Sequence, residues 1–132
     1  MKNKSFCNYN EEIKQRWGNA TQYEEYYEKT KDYSKEKFLF LKNEMDNIFK
    51  CFSVYLKNDF SVKKNEVQLL VKKLQDFITI NYYTCSNEIL LQLGNMYISD
   101  KRFKNNIDQH YNGLANYVNK AIEFYCETKG IL

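Results

Sequence analysis

Cys85 is the first residue of this sequence that could do chemistry. It follows two tyrosines, Tyr82 and Tyr83, and lies at or beside the start of a predicted helix. A helix N-terminus lowers the pKa of a thiol and so favours the reactive thiolate. The position predicts a nucleophile or a site of covalent capture. The alternative is a buried, unreactive thiol that packs as a small apolar residue.

A cysteine hydrolase would need a base and an orienting acid beside that thiol. His110 is the only histidine in the sequence, and Asp100 or Asp108 could orient its ring. In such a site the base takes the thiol proton and the acid holds the imidazole in place. The sequence carries no local signature of this arrangement, so hydrolysis is the least favoured function.

Arg102 is unusual because the chain uses lysine almost everywhere. Arg16 and Arg102 are the only arginines among 20 basic residues. A guanidinium group can hold a carboxylate through two parallel hydrogen bonds. We expect Arg102 to bridge Asp100 and Asp108, and so to brace a short turn between helices. The alternative is that these three side chains hold a carboxylate or an amide of a ligand.

Aromatic side chains make up 17% of the residues, including 12 tyrosines and 9 phenylalanines. Rings with hydroxyl tips both stack and hydrogen-bond, and methionine adapts to irregular shapes. A large, flat, partly polar ligand would suit Trp17, a row of tyrosines that begins at Tyr23, the pair Tyr82-Tyr83, and Met96 with Tyr97. The alternatives are a core built from the same rings and the codon bias of an AT-rich genome.

The helices that the sequence predicts must position these residues. The chain has no proline and four glycines, and its apolar residues recur at steps of three and four. This pattern is typical of an all-α protein. The predicted helices cover about residues 8–17, 20–31, 35–57, 62–82, 87–99 and 112–128, with a short turn after residue 100 and Gly130 as a stop signal.

Two helix starts carry clear capping signals. Ser34 is expected to cap the third helix, and Cys85 or Ser86 is expected to cap the fifth. The third helix has the clearest amphipathic pattern in the sequence. We expect Leu39 and Phe40 to widen its buried stripe.

The second predicted helix carries an apolar face made only of tyrosine and threonine. Tyr23, Tyr26, Tyr27, Thr30 and Tyr33 fall at helical spacing, without leucine, isoleucine or valine. Such a helix binds its core weakly, because each buried ring must keep its hydroxyl satisfied. It could be a mobile lid over a ligand or a helix that is docked permanently.

Length, charge and cysteine spacing exclude several classes of protein. At 132 residues the chain is one domain, and its net charge of +3 comes from lysines that alternate with acids. That pattern favours solvated helix faces over a nucleic-acid site. The start lacks a signal peptide, and no apolar run would span a bilayer, so we expect a cytoplasmic protein. Four dispersed cysteines and one histidine predict no disulfide, metal or cofactor.

The ordered motifs of this sequence resemble those of the TipAS antibiotic-recognition domain, the effector part of MerR-type regulators. The resemblance covers about residues 9–126. Its first half rests on Arg16-Trp17-Gly18, Tyr23, Thr30, Tyr33-Ser34-Lys35-Glu36 and Phe38. Its second half rests on Tyr82-Tyr83-x-Cys85-Ser86-x-Glu88, Leu93-Gly94-x-Met96-Tyr97-x-x-Asp100-x-Arg102-Phe103, Asn106-Ile107-Asp108, Gly113-Leu114-Ala115-x-Tyr117 and Ala121-Ile122.

The resemblance implies a globin-like fold of about six helices without haem, and no catalysis. Residues 9–33 would form a lid and residues 34–128 a helical core. In the family, thiopeptides and other amphipathic antibiotics bind in a cleft between helices. The ligand-binding residues expected on this basis are Trp17, Tyr23, Tyr26, Tyr27, Phe77, Tyr82, Tyr83, Cys85, Gln92, Met96 and Tyr97.

Two departures from the family pattern concern the ligand. The founding member traps thiopeptides through a cysteine at the position of Gln92, so the resemblance implies non-covalent binding here. A histidine that the family often has is Leu74 in this chain. The sequence also begins shortly before the domain, which favours a stand-alone protein that sequesters a drug. The alternative is an interaction module or regulatory subunit that works with a separate DNA-binding partner.

Overall fold

The computed structural model describes residues 20–130, which form six α-helices. They are α1 (Ala20–Thr30), α2 (Lys35–Lys57), α3 (Asn65–Asn81), α4 (Asn87–Ser99), α5 (Lys101–Asp108) and α6 (Leu114–Thr128). Within this range the chain forms no β-strand, so the prediction of an all-helical fold is confirmed. None of these helices is long and apolar enough to cross a membrane. The predicted helix over residues 8–17, with Trp17, lies outside the described residues.

Short polar side chains begin three of the helices. The side chain of Ser34 accepts a hydrogen bond from the Lys37 amide, and that of Ser86 accepts one from the Ile89 amide. Both confirm predicted caps, and Ser86 rather than Cys85 caps α4. Asp100 caps α5 in the same way, by accepting from the Arg102 amide. Each bond satisfies an amide that the first turn of a helix leaves unpaired.

α3 begins later than its periodicity predicts. The predicted start was residue 62, whereas the helix begins at Asn65. Asp59 has a left-handed backbone with φ of 58°, which reverses the chain after α2. Ser61 then accepts a hydrogen bond from the Lys63 amide through its side chain, and its carbonyl accepts one from the Lys64 amide. These local bonds compete with helix formation until Asn65.

α6 also begins later than predicted, at Leu114 instead of about residue 112. Gly113 lies at the junction with φ of 86°, a conformation that side chains rarely adopt. The helix starts only after this turn. Gly130, with φ of 79°, ends the chain's last turn as expected.

The centre of the core is the packing of α4 against α6. Gly94 lies so close to α6 that a Cβ atom placed there would be 3.2 Å from two side-chain carbons of Ile122. Ile122 and Leu90 are fully buried. Asn119 is also buried and donates to the side chain of Asn95 over 3.2 Å. A small residue on one helix and a branched one on the other therefore allow close approach.

α2 and α3 pack against each other, and both contact α6. Leu41 and Phe52 are buried on α2, as their spacing predicts. The expectation that Leu39 and Phe40 widen this stripe is wrong, since both are 56% exposed. Neighbouring residues in a helix point about 100° apart, so burying Leu41 turns the two residues before it toward solvent.

Candidate functional site

A cluster of aromatic rings joins α1 to the segment between α3 and α4. Tyr26 of α1 stacks on Tyr82 with ring centroids 6.1 Å apart, and its ring lies 6.4 Å from that of Tyr83. Phe77 of α3 meets Tyr82 edge to face at 6.2 Å. We call these four residues the tyrosine cluster. The structure thus brings together residues that the sequence placed about 50 positions apart.

The α1 helix presents its tyrosines in different directions. Tyr26 is 5% exposed, whereas Tyr27 is 54% exposed. Tyr23, one turn before Tyr27 and three residues before Tyr26, is half-buried. The predicted row is therefore split into one ring that docks the helix and two that reach solvent to different degrees. Trp17 lies outside the described residues.

Hydrogen bonds fix the path of residues 81–87 from the side of the core. The Gln75 amide nitrogen donates to the carbonyl of Cys85 over 2.9 Å and to the side chain of Asn87 over 2.8 Å. The Gln75 oxygen accepts from the Tyr125 hydroxyl over 2.8 Å. Thr79 accepts from the Cys85 amide. Because α3 and α6 both hold it, the segment that carries Tyr82 and Tyr83 is positioned by the core.

The Tyr83 hydroxyl lies deep in this region. Burial is the main reason that its pKa is raised well above the ordinary tyrosine value, and the neighbouring Cys85 and Tyr97 add to the shift. Tyr83 therefore stays neutral at physiological pH. A neutral hydroxyl can both donate and accept a hydrogen bond.

Cys85 is a buried thiol. Its side chain is almost fully enclosed, and burial, with a smaller contribution from Cys126, raises its pKa to about 12. The prediction that a helix N-terminus lowers this pKa is wrong, because Ser86 takes the capping position and Cys85 points into the core. At neutral pH the thiolate that a nucleophile requires is essentially absent.

His110 belongs to a different environment. Its ring stacks on Phe49 with centroids 6.4 Å apart, and its Nε2 atom is 3.8 Å from a carboxylate oxygen of Asp46. None of the cysteines at positions 51, 85 and 126 is hydrogen-bonded to a histidine or a carboxylate. The described residues thus do not assemble the predicted Cys-His-Asp arrangement. They also contain no group of three or more potential metal ligands.

Tyr97 belongs to a second aromatic group. The centroid of its ring lies 5.8 Å from that of Phe49 and 6.3 Å from that of Phe103. Tyr97 also adds to the raised pKa of the buried Tyr83 hydroxyl. Met96, the preceding residue, is also buried. Gln92, one turn before Met96 on α4, is exposed. The predicted α4 residues therefore do not form one accessible wall.

Asp100, Arg102 and Asp108 divide into two separate interactions. Arg102 donates to both carboxylate oxygens of Asp100, with N–O distances of 3.2 and 2.9 Å. Asp108 instead accepts from Lys104 at 2.7 Å and from the Ala115 amide at 2.8 Å. The predicted bridge from Arg102 to both acids is wrong. Lys104 lies one turn before Asp108 on the same helix, so it reaches that carboxylate more directly.

Each of the two acids nevertheless stabilises the start of a helix. Asp100 caps α5, and Asp108 holds the first turn of α6. Burial raises the pKa of Asp108, but the bonds from Lys104 and the Ala115 amide outweigh it and the net shift is downward. Asp108 is therefore ionised at neutral pH.

Sequence reasoning missed several polar residues of this region. Glu25 accepts two hydrogen bonds from Thr84, and Gln75 and Tyr125 bond to each other across the core. The two residues of each pair are about 50 to 60 positions apart in the chain. Helical periodicity marks which face of a helix is buried, but it carries no signal for such pairs.

Within residues 20–130, hydroxyl-bearing rings gather where a short helix meets the core, and the buried thiols have no base beside them. Flat ring faces combined with hydroxyl groups are suited to binding a ligand that is flat and partly polar.

The chain belongs to the TipAS antibiotic-recognition domain family, whose model matches residues 9–125. It is 34% identical over 114 residues to the HTH-type transcriptional activator TipA of Streptomyces coelicolor, covering 86% of this chain and 45% of the relative. It is 30% identical over 119 residues to the HTH-type transcriptional activator mta of Bacillus subtilis, covering 90% of this chain and 45% of that protein. The chain therefore spans less than half the length of these relatives.

A solved structure shares the fold. The structure of TipAS in complex with nosiheptide, from a thiopeptide antibiotic multidrug resistance system of Streptomyces lividans, matches with a TM-score of 0.80 and 32% identity. The match covers 93% of this chain and 86% of that chain. The resemblance that the sequence motifs indicated is confirmed in both sequence and structure.

Proposed function

We propose that this chain binds bulky amphipathic antibiotics of the thiopeptide type without covalent attachment. The observation that carries the proposal is the tyrosine cluster, where α1 meets the segment before α4 in a chain of the TipAS family. The cluster combines flat apolar faces with hydroxyl groups. Ligands that are large, flat and partly polar require this combination.

The proposed site has two sides. Tyr23, Tyr26 and Tyr27 would contribute from α1, with Trp17 from the preceding residues. Phe77, Tyr82, Tyr83, Cys85, Gln92, Met96 and Tyr97 would contribute from the core. Exposed rings such as Tyr27 would contact the ligand directly, whereas the buried Tyr97 and Met96 would support the wall from behind.

Within residues 20–130, the two buried cysteines, Cys85 and Cys126, support reversible binding, whereas Cys51 is exposed. A thiopeptide could be captured only by an accessible thiolate, and burial raises the pKa of the Cys85 thiol to about 12. The Cys126 thiol is also buried, and its pKa is raised by burial. Gln92, on the exposed side of α4, has no nucleophilic atom. The ligand would therefore dissociate intact.

The biological role follows from the relatives. Since the relatives are HTH-type transcriptional activators, we propose an effector role: the domain either sequesters the drug or reports it to a transcriptional regulator. Both roles place the chain in the cytoplasm and require binding without turnover.

A titration with nosiheptide tests the proposed function. We expect saturable binding by calorimetry, a change in Trp17 fluorescence, and a raised melting temperature, because a ligand that binds only the folded state stabilises it. Denaturing mass spectrometry of the complex should return the unmodified chain mass. The absence of heat, fluorescence and melting changes with nosiheptide and other thiopeptides would contradict the proposal.

A pair of variants on neighbouring surfaces locates the site. Tyr82→Ala removes the ring on which Tyr26 stacks, and we expect nosiheptide affinity to fall by roughly tenfold, about what one stacked ring contributes. Ile80→Ala, two residues earlier and 69% exposed, should bind as the wild type does. Equal affinities for both variants would place the ligand elsewhere.

A further inference from the structure

Glu25 connects α1 to the core by its carboxylate. One oxygen accepts a hydrogen bond from the Thr84 amide over 2.8 Å, and the other accepts one from the Thr84 hydroxyl over 2.7 Å. The two residues are 59 positions apart in the chain. Both oxygens of a charged group are thus directed at a single residue of the segment that carries Tyr82 and Tyr83.

Two further contacts of the N-terminal region fall on the same segment. The Tyr33 hydroxyl, just after α1, donates to the carbonyl of Asn81 over 2.7 Å. Between these two ends, Tyr26 stacks on Tyr82. Tyr33, Tyr26 and Glu25 thus contact residues 81, 82 and 84 in turn. Of these three contacts, the one made by Glu25 is nearest the start of α1.

The Glu25 bond also sets the rotation of α1. Neighbouring residues in a helix point about 100° apart, so holding Glu25 against Thr84 directs Tyr26 inward and leaves Tyr27 toward solvent. A rotation of α1 about its axis would change how deeply Tyr26 and Tyr27 are buried. An apolar ring contact alone tolerates such sliding, whereas a two-oxygen hydrogen-bonded contact is directional.

We propose that Glu25 is a positioning residue for the ligand: its bonds to Thr84 hold α1 in the register that completes the binding site. This inference rests on the proposed function. If only docked α1 binds the ligand, the observed affinity falls with the fraction of molecules in which α1 is docked. Breaking the Glu25–Thr84 contact lowers that fraction without removing a ligand contact.

Three variants test this role with nosiheptide as the probe. Glu25→Ala removes both acceptors, and we expect roughly fivefold weaker binding together with faster amide exchange across residues 20–33 in the absence of ligand. Glu25→Gln keeps an acceptor for the Thr84 amide and should restore most of the affinity. Glu24→Ala removes an exposed carboxylate from the same turn and should match the wild type in both measurements.

The outcomes separate this inference from the proposed function. If the wild type binds nosiheptide and Glu25→Ala binds as tightly, with unchanged exchange in residues 20–33, the positioning role is overturned and the function stands. Tighter binding by Glu25→Ala would also overturn it, because α1 would then cover the site. If the wild type itself does not bind, the proposed function is overturned.

Discussion

α4 and α1 are attached to the rest of the molecule by different kinds of contact. α4 packs on α6 through buried apolar side chains, with Gly94 in close contact with Ile122. α1 is attached through one stacked tyrosine, a carboxylate and hydroxyl groups. Apolar packing of the first kind is lost only when the core unfolds. Polar contacts at a surface exchange readily with water, so we expect α1 to open more readily than the core.

This difference suggests a division of roles between the two regions. The α4–α6 interface provides a fixed frame. Gln75 and Thr79 hydrogen-bond to the backbone of Cys85, and so hold the segment with Tyr82 and Tyr83 in place. α1 adds a second side, which we expect to adjust. A site that must admit a bulky ligand and then enclose it benefits from one fixed wall and one adjustable wall.

The largest effect is expected from truncating the fixed interface. Ile122→Ala removes a fully buried side chain and leaves a cavity beside Gly94, and we expect a loss of about 2–5 kcal/mol in the free energy of unfolding. Urea denaturation would measure it. Ile80→Ala is a matched control, since Ile80 is largely exposed, and it should change stability by less than about 0.5 kcal/mol. Equal losses would contradict the assignment of the core.

A smaller and more local effect is expected at α1. Tyr26→Ala removes the ring that docks on Tyr82, whereas Tyr27→Ala removes a mostly exposed ring. We expect Tyr26→Ala to speed amide exchange by roughly tenfold in residues 20–33, as losing about 1–2 kcal/mol of docking energy would. Exchange in α4 and α6 should not change. Acceleration in α4 and α6 as well would show that α1 is part of the cooperative core.

The smallest effect concerns the thiols and leaves the fold intact. In a Cys7→Ser background at pH 8, we expect an aromatic disulfide reagent to label Cys51 quickly, because this thiol is exposed, and Cys85 and Cys126 only slowly, because both are buried. Peptide mapping would identify the labelled residue. Fast labelling of Cys85 in the folded protein would contradict its burial. It would also support the alternative that Cys85 captures a ligand covalently.

The raised pKa of Cys85 also predicts the direction of a pH effect. Between the ordinary value of 9.0 and about 12, the unfolded chain releases the thiol proton while the folded chain retains it. Since the unfolded state then binds fewer protons, stability falls as pH rises through this range. A Cys85→Ala variant should show a shallower decline in urea midpoint between pH 9 and 11 than the wild type.

Local patterns in the sequence predicted the helices well. The periodicity placed α1, α2 and α4 within about two residues, because buried positions recur with the turn of the helix. Ser34 and Ser86 were recognisable as caps from residue type alone. The errors at α3 and α6 came from Ser61 and Gly113, whose local turns delay the helix start.

Contacts between distant residues could not be predicted in the same way. Asp108 was assigned to Arg102, yet it accepts hydrogen bonds from Lys104 and from the Ala115 amide at the start of α6. The Glu25–Thr84 contact joins elements whose relative placement depends on the whole core. Cys85 lost its predicted reactivity for the same reason: the neighbouring Ser86 takes the cap, and the fold buries the thiol.

Amide hydrogen exchange with and without nosiheptide tests the central claim most directly. We predict slower exchange in residues 20–33 and 81–97 when nosiheptide is added in excess, as the adjustable wall closes on the fixed one, with no change on the exposed side of α2 around Phe40 and Val54. Unchanged exchange in residues 20–33 and 81–97, under conditions where calorimetry shows binding, would contradict the account.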